Sequence, residues 1–174
     1  EYRKIGIEEP HATIEKLLEL GDLAKENLQA RLRAVILMGI SNTEGRLLLS
    51  TGNKSEIAVG YSTIYGDAAG GFAPIKDVLK TDVWWLAKWF NQSKGREIIP
   101  QSSISKAPSA ELRPGQTDQD SLPDYKVLDD ILRLLIERFA TIDEVVALGF
   151  DRHLVSEIDE MVRRAEWKRS QGAI

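Results

Sequence analysis

The sequence contains no cysteine. That removes a disulfide framework, a thiolate metal site and a cysteine nucleophile from these residues. Histidine is nearly absent too: His11 and His153 stand far apart, which argues against a zinc centre. No apolar run reaches the roughly 20 residues that a membrane-crossing helix needs, and no leading signal segment is read at the start. A soluble cytoplasmic protein is therefore the expectation. Excess positive charge is also missing. Lysine and arginine total 23 against 27 acids, for a net charge of −4 and a pI near 5.3. General affinity for nucleic acid or an anionic membrane is not expected from that balance, although a local basic pocket is compatible with it.

What is present suits one domain. The chain has 174 residues and 43% hydrophobic content, enough for a core. "YRKIGI" near the start alternates like a strand. Ile14, Leu17 and Leu18 then mark a helical face with Gly21 as its stop. From Leu23 to about Ser41 the apolar positions recur at helical spacing, and residues 42 to 45 read as a turn. Arg46 to Ser50 reads as a short strand in a parallel, doubly buried position. Ser55 to Tyr61 suits one or two helical turns, 66 to 71 a flexible loop, and Thr81 to Gln92 a helix. On that helix Trp84, Trp85 and Trp89 are expected to pack against a sheet. Glu97 to Ile99 reads as a strand, and a long loop follows, because four of the six prolines fall in residues 93–124. Such a loop inside a compact domain suggests a lid. Helices over 126–139, 142–148 and 152 to about 169 close the chain, with Gly149 a stop and Asp151 an N-cap. The order of elements predicts an α/β fold with a parallel sheet flanked by helices.

The stretch "TGNKSEIAVGYSTIYGDAAGG", residues 51 to 71, is richer in polar chemistry than a strand-to-helix turn requires. In an open parallel sheet, ligands bind at the carboxyl ends of strands, where Thr51 to Glu56 would lie. The amides of a helix start meet anions there, and Glu56 offers a hard carboxylate to magnesium or a hydroxyl. A plain Gly-Asn turn with solvated side chains is the bland alternative. Arg31 and Arg33 are two apart and cannot share a helical face, so one could reach a ligand while the other pairs with acids, with surface exposure of both as the alternative. Lys80, Lys106 and Ser109 are candidate phosphate contacts, with solvation as the alternative. Tyr61 and Tyr65 could offer a stacking face to a planar ring or pack in the core. The basic segment "RRAEWKRSQ" is a solvated helix end or reaches toward an anion. These parts hold no nucleophile and no evident general base. Nucleotidyl transfer, in which positioning and charge stabilisation supply the catalysis, fits that profile.

Taken together, "ENLQARLR", "TGNKSEIAVGYSTIYGDAAGGFAPIKDVLKT", "KAPSAELRPGQTDQDSLPDY" and "RAEWKRSQ" resemble the synthetase domain of glutamine-dependent NAD synthetases, in order and over nearly the whole chain. The resemblance implies an adenine-nucleotide-hydrolase-like (Rossmann-like) α/β fold. It also implies ATP-dependent amidation of deamido-NAD through an adenylated intermediate, with pyrophosphate and then AMP released and with Mg2+ as metal. Ammonia would come from glutamine through an amidase domain. By the same resemblance, Thr51, Lys80 and Ser109 would contact ATP. Asn27, Arg31, Glu56, Tyr61 and Lys168 would contact deamido-NAD, with Glu56 also the metal ligand. Lys168 would act across an interface of a homo-oligomer, and residues 104 to 123 would order over substrate, with Asp118 and Asp120 in that loop. Two parts of the family pattern have no match in these residues: a Ser-Gly-Gly-x-x-Ser-like pyrophosphate loop and the amidase domain. With Glu1 in place of an initiator methionine, the expectation is the C-terminal part of a synthetase domain, spanning residues 1–174 and inactive alone. The competing expectation is a non-catalytic structural or dimerising fragment.

Overall fold

The computed structural model describes residues 2–173; Glu1 lies outside the described residues. Helix α1 (Glu8–Leu17) packs on the long α2 (Asp22–Glu44), which ends at Gly45 in the left-handed region. Both helices are peripheral: α2 buries Ala30 and Ala34 but leaves Val35, Leu37 and Met38 exposed. Four further helices and the turn after α6 supply the core. They are α3 (Lys54–Val59), α6 (Tyr125–Leu132), α7 (Ile142–Ala147) and α8 (Arg152–Arg164). Tyr125, Leu128, Ile131 and Leu132 recur at helical spacing on α6 and are all buried, packed against Val145, Val155 and Ile158 of α7 and α8. Helix α4 (Lys80–Lys94) meets this core at its start. The short α5 (Gln101–Ser105) precedes the long loop, and α9 (Glu166–Arg169) follows α8.

Local chemistry explains several boundaries. Asp151 accepts from the Leu154 amide at 2.9 Å and opens α8, and Gly149 takes a φ of 101° just before it, both as the sequence predicts. Thr141 and Glu144 form a capping box at α7. The single helix predicted over 126–139 is instead α6 followed by a π-turn over Arg133–Glu137. There Arg133 grips Asp82 of α4 with both contacts at 2.7 Å. The helix predicted to run to about Arg169 breaks at Ala165 into α8 and α9.

The β expectations need correction. No strand forms among the described residues, and residues 2–7 are irregular. The predicted strand at Arg46 to Ser50 is reduced to one parallel bridge, Leu49 with Phe72. The Ser50 amide donates to the Phe72 carbonyl at 2.9 Å, and Gly71 donates to Leu48 at 2.8 Å. Leu49 and Phe72 are each 48% exposed, because no further strand or helix covers this edge. Gly70 is required here: a Cβ would lie 2.7 Å from the Ser50 amide nitrogen. Glu97 to Ile99 is not a strand either. The Asn91 side chain accepts from the Ile98 and Ile99 amides, both at 2.9 Å, and donates to the Ile99 carbonyl at 2.8 Å. A side chain thus takes the place of a neighbouring strand. Of the tryptophans, only Trp84 packs inward, edge-on to Tyr125 at 5.9 Å. Trp85 and Trp89 stack on each other at the surface.

Candidate functional site

The chain leaves the Leu49 bridge and enters α3 through Gly52 and Asn53. Asn53 Oδ1 accepts from the Glu56 amide at 3.1 Å, and Glu56 Oε2 accepts from the Asn53 amide at 3.1 Å. This reciprocal box fixes the Glu56 side chain within one turn of the helix start. Its other oxygen, Oε1, receives Lys80 Nζ at 3.0 Å, and both side chains are about four-fifths buried. Lys80 Nζ also lies 5.3 Å from the centre of the Tyr125 ring. Two residues singled out separately in the sequence therefore form one ion pair, 24 positions apart, at the adjoining N-termini of α3 and α4. Of the polar residues in "TGNKSE", Asn53, Ser55 and Glu56 serve that junction, whereas Lys54 pairs with Asp77 and Glu137.

A second convergence lies on the turn after α3. Gly60 has a φ of 72°, and a Cβ there would meet the Ala165 Cβ at 2.8 Å, so glycine serves both the turn and the approach of α9. From one side Asn27 accepts from Thr63 Oγ1 at 2.8 Å, and Arg31, one helical turn on, donates to the Ile64 carbonyl at 3.3 Å. From the other side Lys168 Nζ donates to the Gly60 and Ser62 carbonyls at 2.8 and 2.9 Å. Lys168 thus reaches this turn within its own chain. A small pocket of about 30 Å³ opens here, lined among others by Glu56, Asp67, Lys76 and Lys168. Arg33 points to solvent, whereas Tyr65, exposed and with a φ of 60°, donates to Gln171 at 3.0 Å.

Tyr61 joins the two groups. Burial, followed by the nearby Asp118 carboxylate, pushes its hydroxyl up to about 12. Burial and Asp118 also push the Tyr125 hydroxyl upward. Asp118 is 3% exposed and accepts from Tyr125 at 2.8 Å. It begins a short 3₁₀ turn, Asp118–Asp120, inside the segment predicted to be a loop. That turn and the Asp118 amide, which donates to the Pro108 carbonyl at 2.9 Å, pin the loop at both ends. Residues of the 106–117 segment line a shallow, open cleft of about 550 Å³. Ser109 lines it and accepts from the Glu111 amide at 3.0 Å, while Lys106 pairs with Glu111. Ser109 is therefore not brought into the Glu56–Lys80 group, and exposed Thr51 lies at the entrance to α3.

The family model described as NAD synthase matches residues 1–172. The chain belongs to the NAD synthase family. It is 57% identical over 153 residues to the glutamine-dependent NAD(+) synthetase of Thermotoga maritima, covering 88% of this chain and 27% of that protein. A solved glutamine-dependent NAD+ synthetase from Acinetobacter baumannii, in complex with adenosine diphosphate, is 42% identical with a TM-score of 0.56. The match covers 97% of this chain and 30% of that one. NMN synthetase from Francisella tularensis superposes with a TM-score of 0.76 at 27% identity, over 95% of this chain and 62% of that one. The chain spans between 27% and 33% of the length of the curated relatives it matches.

Sequence reasoning missed Ser55 and Asp129, which are both fully buried at the base of the Glu56–Lys80 pair. A signal existed. Asp129 follows Tyr125 by four positions and precedes Leu132 by three, which places it on the apolar face of α6, where a carboxylate needs partners.

Proposed function

We propose that the protein carrying this chain amidates deamido-NAD to NAD with ATP, and that these residues hold both substrates at the Glu56–Lys80 junction. The observation that carries the reading is that junction itself: a carboxylate fixed by a capping box and paired with an ammonium, beside the turn that Asn27, Arg31 and Lys168 converge on. In the reaction proposed, a carboxylate oxygen of deamido-NAD attacks the α-phosphorus of ATP and pyrophosphate leaves. Ammonia then attacks the acyl carbon and AMP departs with the carboxylate oxygen. No side chain of this chain needs to form a bond. Its part is to orient the two substrates and to stabilise charge.

In this reading Lys80 receives the nucleotide phosphates, together with Thr51 and with Ser109 once the 106–117 loop closes. Asn27, Arg31, Tyr61 and Lys168 hold deamido-NAD about the turn at 60–64. Two of the three N–H donors of Lys168 are spent on carbonyls, which leaves one for an anionic group of the dinucleotide. Among the described residues no three His, Cys, Asp or Glu side chains gather around a metal position. Glu56 alone nevertheless fits Mg2+, which commonly combines one or two carboxylates with phosphate and water oxygens. When bound, that ion would neutralise phosphate charge.

The reading extends to the whole protein. Residues 1–174 are proposed as part of a synthetase domain, and the exposed Leu49–Phe72 bridge as the edge at which the parallel sheet of an α/β fold continues. Ammonia is proposed to come from glutamine, in keeping with the names of the relatives. Their identity of about half the residues favours the dinucleotide substrate over the mononucleotide that the name of the 27% identical NMN synthetase suggests.

Ammonia-dependent NAD formation tests the proposal, with ATP and deamido-NAD supplied to the intact gene product and, separately, to the 174-residue chain. Turnover is expected from the intact product. The chain alone is expected to show none, since it has no Ser-Gly-Gly-x-x-Ser-like string. An intact product that amidates nicotinic acid mononucleotide and ignores deamido-NAD would overturn the substrate assignment.

A further inference from the structure

Helix α4 begins without a cap of its own. Leu79 stands at its N-cap and has no side-chain acceptor for the first amides. Two other helices supply the missing acceptors. Ser55 of α3 accepts from the Lys80 amide at 2.9 Å. Asp129 of α6 accepts from the Thr81 amide at 2.8 Å and from the Thr81 hydroxyl at 2.7 Å. The remaining Asp129 oxygen accepts from the Ser55 hydroxyl at 2.5 Å. A carboxylate with 0% exposure is thereby fully engaged, and every partner belongs to the start of α3 or α4.

One helical turn before Asp129, Tyr125 places its ring beside the Lys80 ammonium at 5.3 Å. Residues four apart share a helix face, so α6 meets the start of α4 twice: at the Thr81 amide and hydroxyl through Asp129, and at the Lys80 ammonium through Tyr125. The Glu56 side chain is fixed independently, by its own box with Asn53. Loosening Asp129 would therefore free Lys80 at the start of α4, and Ser55 with it, while the Asn53 box still ties the Glu56 side chain to α3.

We propose that Asp129 is a positioning residue of the site: by holding Ser55 and Thr81 it fixes Lys80 against Glu56, and so sets where the nucleotide phosphates are received. This rests on the reading of Lys80 as the phosphate contact given above.

The test is a double-mutant comparison in the intact gene product. Asp129→Asn keeps the shape but replaces an acceptor with a donor. Thr81→Val keeps the charge and removes one hydroxyl donor, and it serves the same comparison if Asp129→Asn does not fold. Each is made alone and combined with Lys80→Ala, with kcat and both KM values measured beside the melting temperature. Each single variant should lower kcat/KM for ATP by about tenfold or more, while the KM for deamido-NAD stays within about twofold. On the Lys80→Ala background the kinetic loss should vanish, whereas the lowered melting temperature should persist. A kinetic loss of equal size on both backgrounds, or a lower melting temperature with unchanged ATP kinetics, would make Asp129 a support of the fold alone and overturn the proposal. Wild-type ATP kinetics for Lys80→Ala itself would refute the reading of Lys80 beneath it.

Discussion

Lys168 shows how one residue serves two ends. Its ammonium completes the carbonyls left at the C-terminal side of α3, where a cation is favoured by the helix dipole. Lys168→Ala should therefore destabilise the chain by about 1–3 kcal/mol, the scale of hydrogen bonds to a charged group, seen as a lower midpoint in urea. In the intact product it should also raise the KM for deamido-NAD and leave that for ATP nearly unchanged. An unchanged midpoint would place the lysine in solvent. Tyr61 gives a pH signature. An unfolded tyrosine ionises at about 10, and the folded Tyr61 at about 12. Between those values the unfolded chain has released a proton that the folded chain retains, so stability falls as pH rises through the window. Tyr61→Phe should reduce that fall and remove one step from the tyrosinate absorbance titration. A titration identical to wild type would show that Tyr61 is not the group held neutral there.

At the scale of elements, the helices were legible because their apolar positions recur at the helical period and their caps are local. Asp151, Gly149 and the start of α3 could be read directly. What the residues could not show was set at a distance. The break at Ala165 answers to Gly60, roughly a hundred positions away, and the failed strand at Glu97 to Ile99 answers to Asn91, whose side chain overrides the β-preference of two isoleucines. Arg46 to Ser50 reads as a strand because its leucines suit burial, yet only Phe72 arrives to pair with it. Glu56 and Lys80 stand out in the sequence only as separate residues; their pairing, and the buried Asp129 behind it, depend on three helices meeting. The 106–117 loop yields its own prediction. Its ends are tied by Asp118, while Lys106 and Arg113 stay exposed. Trypsin should cut the intact product after Lys106, and more slowly once ATP and deamido-NAD are both present. Equal rates in the two conditions would make the segment a passive connector.

On the scale of the whole molecule, the core and the candidate site are one construction. The α6 helix buries Leu128, Ile131 and Leu132 against α7 and α8, and from the same length of chain it presents Tyr125 to Lys80 and Asp129 to Ser55 and Thr81. Packing energy on one side thus holds a charged pair on the other, at the place where α3 and α4 begin. This pair is proposed to serve an adenylating amidation. That role is tested most directly by following NAD, AMP and ADP together during ammonia-dependent turnover of the intact gene product and of its Glu56→Gln variant. Glutamine at this position keeps an acceptor for the Asn53 amide but loses the charge facing Lys80. NAD and AMP are expected in equal amounts from the wild type, with a rate lower by about tenfold or more in a variant that remains folded. Release of ADP in place of AMP, or wild-type turnover by folded Glu56→Gln, would contradict it.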